Sequence, residues 1–418
     1  MERLSRRRRT APTLGVGVVL LLVLSATLPC GCQGSQPAVQ SLVAPVIRVR
    51  LVADASRVAI GSNATVSVIQ QGQPLARLQL PAEQLVDVTR GEQFWQVGSQ
   101  RIASGEITLE PEDDGILRLE KTRYRGRLRF VPRAPGKFDV VNDVDIESYL
   151  KGVVAREMLW DWQFQAYRAQ AVAARTYALY QARTREDDAG FDLHADTRSQ
   201  VYGGVEGESS KAVDAVETTR GLVLAYGPQG RERIFKAYFS SCCGGVTASV
   251  QDTFNEPVIE PLQSQYVGSL CSASPRYNWG PVTFSKSELT RRIRAYGARR
   301  NGPEQRMAAV VSIEIAAQNP HGRPSRFLVT DSNGNRFSFT SEQMRWAINS
   351  DAGNGATIPS GFFKPVNEPD TIRLVEGHGH GHGVGMCQWC TQARAQQGMR
   401  FDQILRLAYP GAILVRAY

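Results

Sequence analysis

The run from Trp160 to Asp187, WDWQFQAYRAQAVAARTYALYQARTRED, constrains this chain more than any other stretch. Phe164, Tyr167, Ala171, Ala174 and Ala178 recur at three- and four-residue steps, so the spacing predicts one long helix with a close-packed face. Its small side chains let a second element approach the backbone. Asp161 reads as its N-cap. A helix of this kind needs a partner surface, and the sequence before it supplies one. Between Ile47 and Arg129 the segments IRVRLV, RVAIG, TVSVIQ, LARLQL, EITLE, ILRLE and GRLRFV alternate apolar and polar residues, with turn residues such as Asp113-Asp114-Gly115 between them. That period of two predicts antiparallel strands joined by hairpins. The fold class is therefore α+β: a mostly antiparallel β framework with the Ala-rich helix packed on it.

The first 32 residues carry a different signal. Arg3 and Arg6 to Arg9 precede an apolar run from Leu14 to Leu24, about half the ~20 residues needed to cross a bilayer. A basic start, a short apolar run and small residues after it describe an export signal, with an uncleaved membrane anchor as the alternative. Cys32 follows Gly31, as lipoprotein processing requires, and the polar stretch QGSQPAVQS behind it reads as a tether. The chain thus divides into a lipoprotein-type signal (1–32), a tether (33–46), a β-rich region (47–135) and a mixed domain (136–418). The expected location is the cell envelope, with Cys32 lipidated and holding the protein to a membrane.

This division changes the meaning of the charge. The chain carries a formal +9, from 49 Lys+Arg against 40 Asp+Glu. Five arginines against Glu2 place +4 of it in the signal, which leaves +5 for the rest. That remainder is spread along the chain and no nucleic-acid motif accompanies it, so a nucleic-acid partner is not expected.

Chemistry concentrates around Glu157 in GVVAREMLWDW. A carboxyl among Met158, Trp160 and Trp162 would be partly desolvated, which favours the protonated form that a general acid needs. An exposed loop glutamate is the plainer alternative. The mixed apolar stretch IESYLKGVVAREM leads up to it. Farther on, KAVDAVETTRG reads as a short helix stopped at Gly221, GLVLAYG with RIFKAYFS as a hairpin, and EGHGHGHGVGMCQWCTQARAQQG as a Gly-rich turn entering a helix. His378 and His380 in that run suggest only adventitious metal binding.

The segment YLKGVVAREMLWDWQFQAYRAQAVAARTYAL resembles the signature of the SpoIID/LytB family, the stage II sporulation D and amidase-enhancer proteins. SQVYGG (199–204), TTRGLVLAYG (218–227), AYFSSCCGG (237–245), CSASPRYNWG (271–280), GHGVGMCQWC (381–390) and a final YPGAIL follow in the family's order, so the resemblance runs over residues 140–415. It implies a lytic transglycosylase cleaving the MurNAc-GlcNAc bond of peptidoglycan strands, preferably denuded ones, with Glu157 as the catalytic acid. Gln170 and Arg175 on the long helix, Gln200 and Tyr202 in the Q-V-Y motif, and His382 and Gln388 in the G-H-G-V-G-M-x-Q motif are the expected substrate-binding residues. Each also has a structural alternative as a buried polar group tying helix to turn. Tyr202 could stack on a sugar. The other family activity is non-catalytic: a wall-binding enhancer of a cell-wall amidase, which would then be a partner.

No cofactor is required by this chemistry. Some relatives bind zinc through one histidine and two cysteines just after the long helix; here DLHADTRSQ offers His194 and no cysteine, so that site is not expected. The chain has seven cysteines. Beyond Cys30 and Cys32, Cys242, Cys243, Cys271, Cys387 and Cys390 admit disulfides, a structural metal such as zinc, or a redox role.

Overall fold

The computed structural model describes residues 43–81, 84–185 and 190–418. The export signal, most of the tether and Cys32 lie outside the described residues. Among those described, no helix is long and apolar enough to cross a membrane.

The alternating segments form two sheets. The first runs Leu193–His194, Val46–Ala55, Phe138–Asp145, Arg127–Pro132, Ile107–Pro111, Thr65–Gln70, Gln73–Gln79. Its pairings are antiparallel except for Leu193–His194, which lies parallel to Val46–Ala55. The second runs Thr122–Tyr124, Leu117–Leu119, Arg57–Ser62, Val86–Arg90, Phe94–Val97, Gln100–Ala103 and is antiparallel throughout. One face of each sheet is buried, as the period of two requires: Ile47 and Val49 in the first, Val58 and Ile60 in the second. The sheets meet at Trp95, whose ring sits edge-on to Phe138 at 5.1 Å and to Phe130 at 6.0 Å. The β-rich region is continuous with the mixed domain, because Phe138–Asp145 and Leu193–His194 pair with its first strand and a single apolar cluster extends from Ile47 to Tyr418.

Asp145 ends that strand and starts a helix. Its carboxylate accepts from the backbone N–H of Glu147 (3.1 Å) and Ser148 (3.0 Å), capping α1 (Ile146–Glu157). The stretch IESYLKGVVARE is thus helical. The long helix is α2 (Phe164–Thr184), buried from Ala166 to Leu179 apart from Arg168. Its N-cap is Gln163, not Asp161, which is exposed; the Gln163 N–H is satisfied by the side chain of Gln392 at 2.8 Å. Here a tertiary contact replaces the local cap. Next come α3 (Ser210–Glu217) and α4 (Val250–Phe254). Then α5 (Lys286–Arg299) and α6 (Ser341–Asn349) pack with the strands Val310–Gln318, Pro324–Asp331 and Arg336–Thr340 around a second apolar cluster that includes Phe284, Ile293, Phe327 and Phe363. Finally, α7 (Gln388–Gln396) and α8 (Phe401–Ala408) return to α2, and Ile413–Arg416 pairs with Leu222–Tyr226.

Buried charge fixes where α1 and α2 cross. Arg175 on α2 and Glu147 on α1 have side chains 0% and 1% exposed and pair at 2.7 Å. The guanidinium also donates to the carbonyls of Val216 and Leu222. The carboxylate accepts from the Gly221 N–H (3.0 Å) and the Tyr418 hydroxyl (2.6 Å). Arg175 therefore joins the two helices, the turn after α3 and the chain end. Removing one member of such a pair leaves the other charged and buried, at a cost of about 3–5 kcal/mol. Arg175→Met should lower the unfolding free energy by that amount in urea titrations; an unchanged midpoint and slope would refute the assigned role.

Candidate functional site

Glu157 is the last residue of α1. Gly152, one turn earlier, lets the segment 202–204 come against the helix. A Cβ there would stand 2.6 Å from the Gly204 carbonyl oxygen and 2.8 Å from the Tyr202 ring, and the Gly152 carbonyl accepts from the Gly203 N–H at 3.1 Å. That close approach carries the Val201 N–H to 3.0 Å from Glu157 Oε1. On the other side α7 meets α2, where the Gln388 amide donates to Gln170 Oε1 at 3.4 Å and also favours the ionised Glu157 carboxylate.

The carboxyl is nonetheless held above the usual glutamate range. Burial pushes it up, while the Val201 N–H and the Gln388 amide pull it only part of the way back. Neighbouring Arg156 does not oppose this, because its guanidinium is turned to the Glu206 carbonyl (3.1 Å). Glu147, ten positions earlier on the same helix, behaves in the opposite way. Burial pushes it up too, but the charge and hydrogen bonds of Arg175, with the Tyr418 hydroxyl and the Gly221 N–H, hold it below the usual range. One helix therefore carries a buried carboxyl committed to charge and a half-buried one free to take a proton.

The expected tryptophan environment divides. Trp162 is buried edge-on to Trp389 (5.0 Å), and Met158 is buried. Trp160 is 84% exposed and Leu159 50% exposed, immediately after the acid. Their loop is tied down by Lys211, which donates to the carbonyls of Trp160 (2.6 Å) and Trp162 (3.0 Å), and by the Tyr167 hydroxyl on the Leu159 carbonyl (3.0 Å). An exposed indole on an anchored loop thus follows the carboxyl three residues along the chain. The sequence placed Trp160 near Glu157 but assigned it to desolvation.

The other expected residues fall into three places. Gln170, Gln200 and Gln388 gather along α2 near Glu157. The Gln200 carboxamide accepts from the Tyr149 hydroxyl (3.0 Å) and donates to the Ala174 carbonyl (3.3 Å), and buried Tyr149 lies close enough to Glu157 to sense its charge. Tyr202 lies beneath this layer, 6% exposed; its hydroxyl donates to Asn142 (3.0 Å), and Tyr124 and Tyr149 pack on its ring at 5.7 and 4.9 Å. Arg175 is fully enclosed in the Glu147 pair. His382 stands in an aromatic cluster with Tyr238 (5.6 Å) and Phe254 (5.4 Å), its Nδ1 accepting from the Val384 N–H at 3.0 Å. Burial pushes its pKa down to about 4, so it is neutral at ordinary pH. His194 packs on Phe191 and Arg50, and burial pushes it to about 4 as well. Cys242, Cys243, Cys271, Cys387 and Cys390 are buried and unpaired.

A family model described as Stage II sporulation protein (SpoIID) matches residues 134–226, the span holding α1, α2 and Glu157. The chain is similar to an uncharacterized protein of Brachyspira hyodysenteriae, 30% identical over 309 residues that make up 74% of this chain and 76% of that one. It is similar to the amidase enhancer of Bacillus subtilis, 26% identical over 299 residues, 63% of this chain but 40% of the enhancer's length. It is also similar to stage II sporulation protein D of Bacillus subtilis, 25% identical over 304 residues, 66% of this chain and 76% of that one.

The raised carboxyl has a measurable cost. A group that binds its proton more tightly when folded contributes stability below its unfolded pKa, about 4.3 for glutamate, and loses it as pH rises through the folded value. Glu157→Gln stays neutral throughout. Wild type should therefore lose stability relative to Glu157→Gln as pH rises from about 4 toward neutrality; a difference that stays flat or changes in the opposite sense would contradict the assignment.

Proposed function

This chain belongs to the SpoIID family, and on that premise we propose that it is a peptidoglycan lytic transglycosylase in which Glu157 acts as both acid and base. The observation that carries this reading is the Glu157 carboxyl itself: half-buried, held above the usual glutamate range by desolvation, without a cationic partner among the described residues, and three residues before an exposed indole.

The chemistry suits a single carboxyl. Glycoside hydrolases use two, one as acid and one as base or nucleophile. Here protonated Glu157 gives its proton to the glycosidic oxygen as the bond from C1 of MurNAc breaks, and the GlcNAc hydroxyl leaves. The resulting carboxylate takes the proton of the MurNAc C6 hydroxyl, whose oxygen bonds to C1 of the same sugar and closes a 1,6-anhydro ring. The proton returns to Glu157 and no water is consumed. Intramolecular attack removes the need for a positioned water and a second carboxyl. The Val201 N–H and the Gln388 amide steady the carboxylate between the two transfers, and Gln170 and Gln200 hold that side of the site together. Trp160 serves as the sugar platform. Tyr202 and Arg175 support the site from beneath, and His382 shapes a neighbouring aromatic cluster. The family implies an exported envelope protein, and a lipid at Cys32 would keep it at a membrane surface facing the wall.

A second reading comes from the similarity to the amidase enhancer: the protein binds glycan strands and stimulates a cell-wall amidase without cleaving them. Product chemistry separates the two. With denuded glycan strands, wild type should yield 1,6-anhydroMurNAc ends detected by mass spectrometry. Glu157→Gln should lose about 10²–10⁴-fold in rate, the usual worth of a positioned general acid. Intact strands with wild type, together with wild-type and Glu157→Gln protein stimulating an amidase equally, would establish the enhancer instead.

A further inference from the structure

Four buried thiols from three separate parts of the sequence converge. The Sγ atoms of Cys243, Cys271, Cys387 and Cys390 all lie within 4.8 Å of one another. Cys243 is 3.6 Å from Cys271 and 3.8 Å from Cys390. A tetrahedral ion with metal–sulfur distances of about 2.3 Å sets sulfurs roughly 3.8 Å apart. One thiol can share a disulfide with a single partner, whereas Cys243 is at contact distance from two. We propose that these four cysteines hold one structural zinc ion, a site that stands independently of the glycan-cleaving reading.

The surroundings suit thiolates. The N–H groups of Cys243 (3.3 Å) and Cys390 (3.4 Å) both point at Cys387 Sγ, giving it two donors. The second of these arises because Cys387 is the N-cap of α7 and Cys390 lies in its first turn, so the Cys-x-x-Cys spacing turns both sulfurs to one side. Arg323, 1% exposed, is anchored to the carbonyls of Cys243 (2.9 Å), Val246 (2.9 Å) and His382 (3.2 Å). It places a guanidinium beside a centre that would carry two negative charges. When the ion enters, four S–H bonds ionise and four zinc–sulfur bonds form; four protons pass to solvent, and nothing is oxidised or reduced.

Cys242 lies outside this set of four: its thiol borders the cluster and donates to the Cys271 carbonyl at 4.0 Å. Its backbone pairs with His380 in both directions (3.1 and 2.8 Å). The ion would tie the turn after Phe239–Ser240, the turn at Cys271 and the start of α7, which the parallel pairing of Phe239–Ser240 with Met386–Cys387 already brings together. Gln388, between two of the ligands, is the α7 residue that reaches Glu157.

Metal analysis of the purified full chain tests this directly. Elemental mass spectrometry should find about one zinc per chain, and X-ray absorption should show four sulfurs at about 2.3 Å. Cys271→Ser and Cys390→Ser should lose the metal, and Cys242→Ser should keep it. Iron in place of zinc, a wild-type metal content near zero, or a disulfide among these cysteines in peptides mapped without reduction would each overturn the proposal. The wild-type measurements decide it even where a variant fails to fold.

Discussion

The crossing of α1 and α2 rests on the ion pair between Glu147 and Arg175. Its geometry explains why so much of the chain must be present for the site to exist. Glu147 accepts from Arg175, from Gly221 in the turn after α3 and from Tyr418 at the chain end, so four segments meet on one carboxylate. Burying such a pair is not by itself a source of stability, because desolvation offsets much of the attraction. What it supplies is register: a helix shifted by a residue would leave a charge buried without its partner. α1 starts at the Asp145 cap, and Glu157 is carried three turns along a helix whose position is already fixed.

The same helix then ends, among the described residues, without a cation for its last carboxyl. Arg156 is drawn off to Glu206, and the groups that reach Glu157 are a backbone N–H and a neutral amide. Both stabilise the anion without committing it to permanent charge. In the proposed reaction, a group that gives a proton and takes one back needs this balance. Glu147 shows what full compensation does to a carboxyl in the same helix. The contrast depends on partners more than on depth, since burial pushes both groups in the same direction.

Much of this was legible in the sequence. The alternation of IRVRLV and TVSVIQ gave the strands, and the Ala spacing gave α2, because both periods survive whatever packs on them. Glu157 stands out in the sequence through its motif, whereas the backbone N–H and the amide around it come only with the fold. Where local pattern and structure differ, the cause is a partner distant in the chain. Asp161 looks like a cap, but Gln392 from α7 satisfies the helix start. Arg175 and Tyr202 look like ligand contacts, but Glu147 and Asn142, reached only through the fold, enclose them. The cysteines stayed ambiguous for the same reason: spacing shows Cys387-x-x-Cys390, and only the parallel strand pairing brings Cys243 beside it. That the helices and strands between Lys286 and Asn349 close their own apolar cluster around Phe327 and Phe363 is set by contacts between elements, which no local pattern shows.

One helix thus holds one carboxyl kept charged and one poised to take a proton. Carbon-13 NMR of side-chain carboxyls, with Glu147→Gln and Glu157→Gln used to assign the resonances, reads both in a single pH titration. Glu157 should titrate above the ordinary glutamate value of about 4.3 and Glu147 below it. A Glu157 carboxyl that ionises at or below that value would contradict the account, whatever the products of the reaction.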